Sequence, residues 1–285
     1  MPHPLLITGA TGTLGRAFAR ICDLRGLEYC VTSRAELDIA EPGSVEAALE
    51  RIRPWAVVNT AGYVRVADAE REAERCFREN SRGAANLALA CARSGIPLIT
   101  FSSDLVFDGQ LGRAYMESDA PCPTCVYGAS KLEAEQLVSA ACPEALILRT
   151  SAFFGPWDPH NFVYHTLRAL AAGDQCQAAA DCAITPTYVP DLVNASLDLL
   201  IDGETGIWHL ANPGAVSWSK LARLVAERDG FDPERIVLHG TDRVQTSTAL
   251  GSARGFMLPR LDSALDRFFR ESEQAWASGH ARPFR

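Results

Sequence analysis

Long hydrophobic runs, a surplus of positive charge and low-complexity tracts are all missing from this chain of 285 residues. Its apolar pieces, such as Leu5–Ile7 and Leu146–Leu148, fall far short of the ~18 residues that a membrane span requires. No membrane partner is expected. With 27 Lys+Arg against 35 Asp+Glu and a formal net charge of -8, the chain has no basic footprint for nucleic acid, and the arginines of the closing ARPFR read as a solvated end. The start MPHPLLITGA has no cationic region before its first glycine turn, so no export signal is expected and the cytoplasm is the expected compartment. Cysteine is not scarce, but nine is an odd number and the residues are scattered, which suits reduced thiols better than a disulfide framework. Cys122 and Cys125 form a C-x-x-C without a second pair or a histidine at ligand spacing, and they read as a loop with two thiols. His160 and His165 lack a carboxylate at ligand spacing. No metal is expected.

What the sequence does contain is alternation. Short apolar runs stand at Leu5–Thr8, Tyr29–Thr32, Ala56–Asn59, Leu98–Phe101, Leu146–Arg149 and Ile207–Leu210. Between them lie helical patterns such as VEAALERIR, GAANLALACARSG and KLEAEQLVSAA. Strands buried on both faces and joined by crossover helices make a parallel, doubly wound sheet, so the fold class is α/β. The alternation weakens after Arg149, where prolines and aromatics gather in FFGPWDPHNF and ITPTYVPD. We therefore expect a Rossmann-type dinucleotide-binding domain over 1–150, with 176–212 partly returning to the sheet. A smaller substrate-binding lobe is expected from 151–175 and 213–285.

The first strand runs into Gly9-Ala10-Thr11-Gly12-Thr13-Leu14-Gly15 and then into a helix. Glycines there permit a tight turn and let backbone N–H groups and the helix N-terminus approach a pyrophosphate. After the second strand, where an acidic residue would bind an unphosphorylated ribose, the chain has Ser33 and Arg34. A hydroxyl and a guanidinium suit a 2′-phosphate, so NADPH is favoured and NADH remains possible.

Small and hydroxylic residues mark the expected strand ends: Asn59 to Gly62, Ser102-Ser103-Asp104 and Arg149-Thr150-Ser151. In VYGASKLEAE, Tyr127, Lys131, Ala134 and Val138 form one helical stripe, so a phenol and an ammonium head an otherwise apolar face. Such a conflict marks function. A cation about 4 Å from the phenol, at an effective dielectric of about 20, is expected to lower its pKa by up to about three units, to near 7. Tyr127 is then placed to give a proton to a carbonyl oxygen that Ser103 also holds. Trp157, Phe153 and Phe154 stack a base or pack a lobe, with the lobe favoured. Asn80 reads equally as a cap and as a residue facing the cofactor.

Taken together, TGATGTLG, VVNTAGY, SSDLVFDG, VYGASKLEAEQ, LRTS, TPTYVPDL and GIWHLANPG resemble the extended short-chain dehydrogenase/reductase family over nearly the whole chain. Within it the sequence is most similar to the dTDP-4-dehydrorhamnose reductase group. That resemblance implies NADPH-dependent reduction of the 4-keto group of a nucleotide-linked deoxysugar, with Ser103, Tyr127 and Lys131 catalytic. It also implies that Gly9, Thr11, Gly12, Thr13, Leu14 and Gly15 hold the pyrophosphate, and that Asp38 and Ile39 border the adenine. Ala61, Gly62, Tyr63, Ser102 and Tyr127 would line the cofactor, and Lys131 would reach its ribose. The chain departs from the group at Leu105, at Ala152 and near Val244-Gln245, where a tyrosine, a tryptophan and an arginine-proline pair are usual. Glutamates that bridge some dimers through magnesium fall at Ala17 and Pro190. The expected state is a monomer or homodimer. Rival readings are a sugar-nucleotide epimerase or dehydratase and a non-catalytic NADP-binding regulatory subunit. Leu105 after Asp104 and the Ser33-Arg34 pair speak against the first.

Overall fold

The computed structural model of the protein describes residues 3–240, 246–255 and 258–277, with side chains through 272. The departure at Val244-Gln245 and the ARPFR tail lie outside the described residues. The chain divides into two compact units, Met1–Phe107 with Ala120–Thr150 and Val193–Trp208, and Asp108–Asp119 with Ser151–Leu192 and His209–Arg285. Val193–Trp208, within 176–212, rejoins the first unit, and a short insert, Asp108–Asp119, belongs to the second. Among the described residues no helix is long and apolar enough to cross a membrane.

In the first unit, β1 (Leu5–Thr8), β2 (Tyr29–Thr32), β3 (Ala56–Asn59), β4 (Leu98–Ser103) and β5 (Leu146–Thr150) alternate with α1 (Thr13–Arg25), α2 (Pro42–Ile52), α3 (Ala73–Phe77), α4 (Gly83–Ser94) and α5 (Val126–Ala141). With the strand Gly206–His209 they form a sheet of six strands, in the order Gly206–His209, β5, β4, β3, β1, β2. The pairs from β2 through β5 are parallel. Every residue of β1, β3, β4 and β5 is buried, as continuous apolar runs under two helical layers require, whereas the edge strand β2 is only half-buried. Leu37–Ile39 adds no strand, so β2 stays at the edge. The strand order reverses between β1 and β3, which is where such sheets open a crevice at their carboxyl ends.

One face of the sheet carries Leu6, Val57 and Ile147 against Leu87, Ala88 and Cys91 of α4 and Ala134 and Val138 of α5. Helix ends are set locally. Gly26 and Gly95 take φ of 65° and 63° and cap α1 and α4 in the left-handed region that glycine adopts without strain.

The second unit is built from short pieces. Phe153–Phe154 pairs in parallel with Thr187–Tyr188, and Ile236–His239 with Cys176–Ala179. Its core gathers Phe154, Leu167, Tyr188, Leu221, Val225, Leu265 and Phe268. Phe154 lies 5.3 Å from the Tyr188 ring and 5.9 Å from that of Phe268, so this aromatic packs the lobe.

Gly128 lets α5 lie close to the chain after β4. Alanine in a helix interior is favoured over glycine by about 1 kcal/mol, but a Cβ here would stand 2.1 Å from the Leu105 carbonyl oxygen and 3.1 Å from Pro123 Cβ. Gly128→Ala should therefore destabilise the protein by about 1–3 kcal/mol, as overpacking does. Urea unfolding measures this; a midpoint at or above that of the unmodified chain would contradict the contact.

Candidate active site

The turn after β1 is tied down by its own backbone. Gly9 N and Ala10 N donate to Thr32 O of β2 at 2.9 and 3.1 Å, and Gly12 N donates to Gly9 O at 3.0 Å. Gly9 has φ of 85°. A Cβ at Gly15 would lie 2.2 Å from Gly9 O, and one at Gly9 would lie 2.8 Å from Thr60 Oγ1, so no larger residue fits either place. The first turn of α1 has no side-chain cap and no acidic residue. Its N–H groups and positive dipole end are suited to an anion.

Beside the turn, Thr60 Oγ1 donates to Thr8 O and Ala61 N donates to Thr8 Oγ1 at 3.2 Å. Gly62 is close to Asn80, whose Oδ1 would lie 2.7 Å from a Cβ at that position. Asn80 sits in a π-helical turn, Arg78–Arg82, inserted between α3 and α4. Its Oδ1 accepts from Tyr63 N at 2.8 Å, and its Nδ2 donates to Ser130 Oγ at 2.9 Å. Asn80 therefore fixes the Gly62-Tyr63 backbone to α5. These features, a glycine cradle, an uncapped helix end and a close-packed Ala61-Gly62 passage, fit a dinucleotide.

Helix α5 is capped by Cys125, whose Sγ accepts from Gly128 N at 3.3 Å. Tyr127 and Lys131 follow one turn apart, both half-buried, with Lys131 Nζ 5.8 Å from the Tyr127 ring centroid. Lys131 Nζ donates to Phe101 O of β4 at 3.1 Å. Ser103, at the end of β4, donates to Asp104 Oδ1 and accepts from Leu105 N, each at 3.1 Å. The site thus draws Ser103, Tyr127 and Lys131 from two adjoining elements.

Electrostatics depart from expectation. Burial, then the carboxylate of Asp104 and the thiols of Cys76 and Cys125, push the Tyr127 phenol up from its ordinary value instead of down toward 7. Burial also pushes the Lys131 ammonium down, to about 8, against the pull of Cys76 and Glu135. The reason is geometric: Lys131 aims its charge at a backbone carbonyl as well as lying near the ring, and the low-dielectric setting penalises both charged forms.

The apolar stripe of α5 hides a third polar residue. Glu135, one turn beyond Lys131, is 4% exposed, and its carboxylate takes Arg149 of β5, 2% exposed, in a two-point grip. Arg149 Nε donates to Oε1 at 2.8 Å and Nη2 to Oε2 at 2.7 Å, and Ser102 Oγ also donates to Oε1. The Ser102 hydroxyl, expected to line the cofactor, is directed into this pair. The sequence reading missed Glu135. The signal available was its spacing, four residues after Lys131 on the same face.

The residues expected at the adenosine end make contacts within the chain. Ser33 Oγ donates to Glu36 at 2.7 Å and Arg34 Nη1 to Glu79 at 2.7 Å, so both groups hold carboxylates. Asp38 accepts from Ala40 N at 3.0 Å and Arg78 at 3.1 Å, and Ile39 packs under Gly83. Thr11 is exposed, Thr13 half-buried and Leu14 buried. His160 and His165 are exposed, and Ala17 and Pro190 are buried.

A parallel sheet of this order, entered through a glycine turn onto a helix, defines a Rossmann-type dinucleotide fold. The chain belongs to the RmlD substrate binding domain family, within the extended short-chain dehydrogenases/reductases, and the family model matches residues 3–250. It is 38% identical over 247 residues to the dTDP-4-dehydrorhamnose reductase of Mycolicibacterium smegmatis, covering 85% of this chain and 74% of that one. To the Streptomyces griseus protein of the same name it is 33% identical over 293 residues, covering 100% and 90%. The crystal structure of dTDP-4-dehydrorhamnose reductase from Bacillus anthracis in complex with NADP is similar with a TM-score of 0.88 at 28% identity, covering 95% of this chain and 100% of that one.

The Glu135–Arg149 pair makes a stability prediction. Glu135→Leu and Arg149→Met should each cost about 3–5 kcal/mol, because each leaves a buried charge alone, while the double variant should cost less than either. A double-mutant cycle from urea unfolding reads this, and additive losses would show that the two residues do not act as a pair.

Proposed function

We propose that this chain is a cytoplasmic NADPH-dependent reductase of the 4-keto group of a nucleotide-linked deoxysugar, as its relatives' names suggest, acting in dTDP-rhamnose biosynthesis. The observation that carries this reading is the pairing of Tyr127 and Lys131 on α5 with Ser103 at the end of the strand that anchors Lys131. In this reading the Gly9–Gly15 turn and the start of α1 hold the pyrophosphate. Asp38 and Ile39 border the adenine, Ala61 to Tyr63 line the passage, and residues of the second unit recognise the nucleotide sugar.

NADPH, when bound, supplies the hydride that reduces the carbonyl carbon. Tyr127 is the general acid. Its O–H bond breaks and a new one forms on the carbonyl oxygen, turning ketone into alcohol and leaving a phenolate. Burial that raises the phenol keeps this proton in place at neutral pH until a basic oxygen arrives. Ser103 turns its hydroxyl from Asp104 to the same oxygen and stabilises the charge that develops there. Lys131, held on Phe101 O, offsets the phenolate and would hold the ribose hydroxyls. Leu105 and Ala152 stand where the group carries aromatic residues, so the sugar this chain prefers need not be that of the relatives.

Absorbance of NADPH followed with dTDP-4-keto-6-deoxy sugars tests the reading. Tyr127→Phe should lower kcat by about 10²–10⁴-fold while leaving coenzyme affinity unchanged. Undiminished turnover in this variant would remove Tyr127 from the proton step, and tight NADPH binding with no turnover of any such sugar would favour the non-catalytic subunit. The rate should also fall as pH rises through about 8, where the Lys131 ammonium is lost. Lys131→Arg should move that limb upward, since a guanidinium keeps its charge. A limb that stays near the same pH in this variant would show that Lys131 is not the titrating group.

A further inference from the structure

The residues that suit a 2′-phosphate are already engaged by carboxylates. Arg34 Nη1 donates to Glu79 Oε1 at 2.7 Å, and its Nε lies 3.5 Å from Asp38 Oδ2. Arg75 Nε donates to the same Glu79 oxygen at 2.8 Å. Ser33 gives both its backbone N–H and its hydroxyl to Glu36 Oε2, at 2.8 and 2.7 Å. Glu79 is the fixed member of the set: its side chain is 12% exposed against 53% for Arg34. Burial acts to raise the Glu79 carboxyl, but hydrogen bonds from Arg75 and Arg34 hold it below the ordinary carboxylate value, so it is charged at neutral pH.

We propose that Glu79 is a coenzyme-specificity residue that competes with a 2′-phosphate for Arg34. The proposal rests on the dinucleotide reading above. A guanidinium offers one planar fork, and an anion that takes it must displace the anion already there. Binding a 2′-phosphate, with about -1.5 to -2 charges, therefore breaks the Arg34–Glu79 contact and leaves the carboxylate near a second anion. An unphosphorylated ribose asks for neither change. Glu79 thus lowers the advantage that Arg34 would give NADPH over NADH, and the chain accepts both with a small preference.

Calorimetric titration of the full chain with 2′,5′-ADP and with 5′-ADP tests this without catalysis. The unmodified chain should prefer 2′,5′-ADP by less than about tenfold, where 1.4 kcal/mol corresponds to each factor of ten. Glu79→Gln should tighten 2′,5′-ADP by about five- to twentyfold and change 5′-ADP by less than about twofold. A preference above about a hundredfold in the unmodified chain would overturn the proposal even if the variant does not fold. So would a Glu79→Gln variant that binds both fragments more tightly by the same factor, or neither. If the unmodified chain binds neither fragment, the dinucleotide reading itself fails, and the proposal with it.

Discussion

Behind the carboxyl ends of β4 and β5, a glutamate and an arginine with almost no access to water hold one another, and the candidate site is arranged by that contact. Glu135 and Arg149 would each be costly to bury alone. Together they satisfy both carboxylate oxygens, with Ser102 adding a third donor and the Arg149 guanidinium lying 5.0 Å from the Phe107 ring centroid. A two-point grip between planar groups tolerates little rotation. It therefore fixes how α5 is turned about its own axis against β4 and β5. Lys131 and Tyr127 lie one and two turns earlier on the same face, so the angle set at Glu135 decides what they meet.

Close backbone approaches fix the remaining degrees of freedom. The helix can descend onto the chain after β4 only because Gly128 has no Cβ, and α1 can start against the β1 turn only because Gly15 has none. Asn80 then joins the turn after β3 to α5 through Tyr63 N and Ser130. These contacts are short-range and directional, unlike the apolar packing around them. Hydrophobic burial supplies the stability of the layers, and the polar contacts select one orientation among many that would bury similar area.

Much of this was legible in the residues. The six sheet strands match their apolar runs to within a residue or two, because a strand buried on both faces must be apolar throughout. The exception is instructive: β4 runs on to Ser103, since Ser102 and Ser103 meet Arg149 and Thr150 across the ladder instead of ending in a loop. The glycine turn was readable because its chemistry is local. Glu135 was marked only by its spacing after Lys131, and its partners, which lie on two strands, were not legible. The carboxylate that Arg34 holds was hidden for the same reason, with Glu79 lying 45 residues away in sequence. Local pattern identifies the groups, and only the tertiary arrangement says which counter-ion each one already holds.

The two central side chains show how this changes the chemistry. From spacing alone, a lysine near a tyrosine implies a cation that acidifies the phenol. In the folded chain the same burial acts on both, raising the phenol from 10.0 and lowering the ammonium from 10.5 to about 8, so two pKa values that begin nearly equal move apart. The low-dielectric setting favours the neutral form of each group over its charged form. As pH rises, the lysine therefore changes charge before the tyrosine.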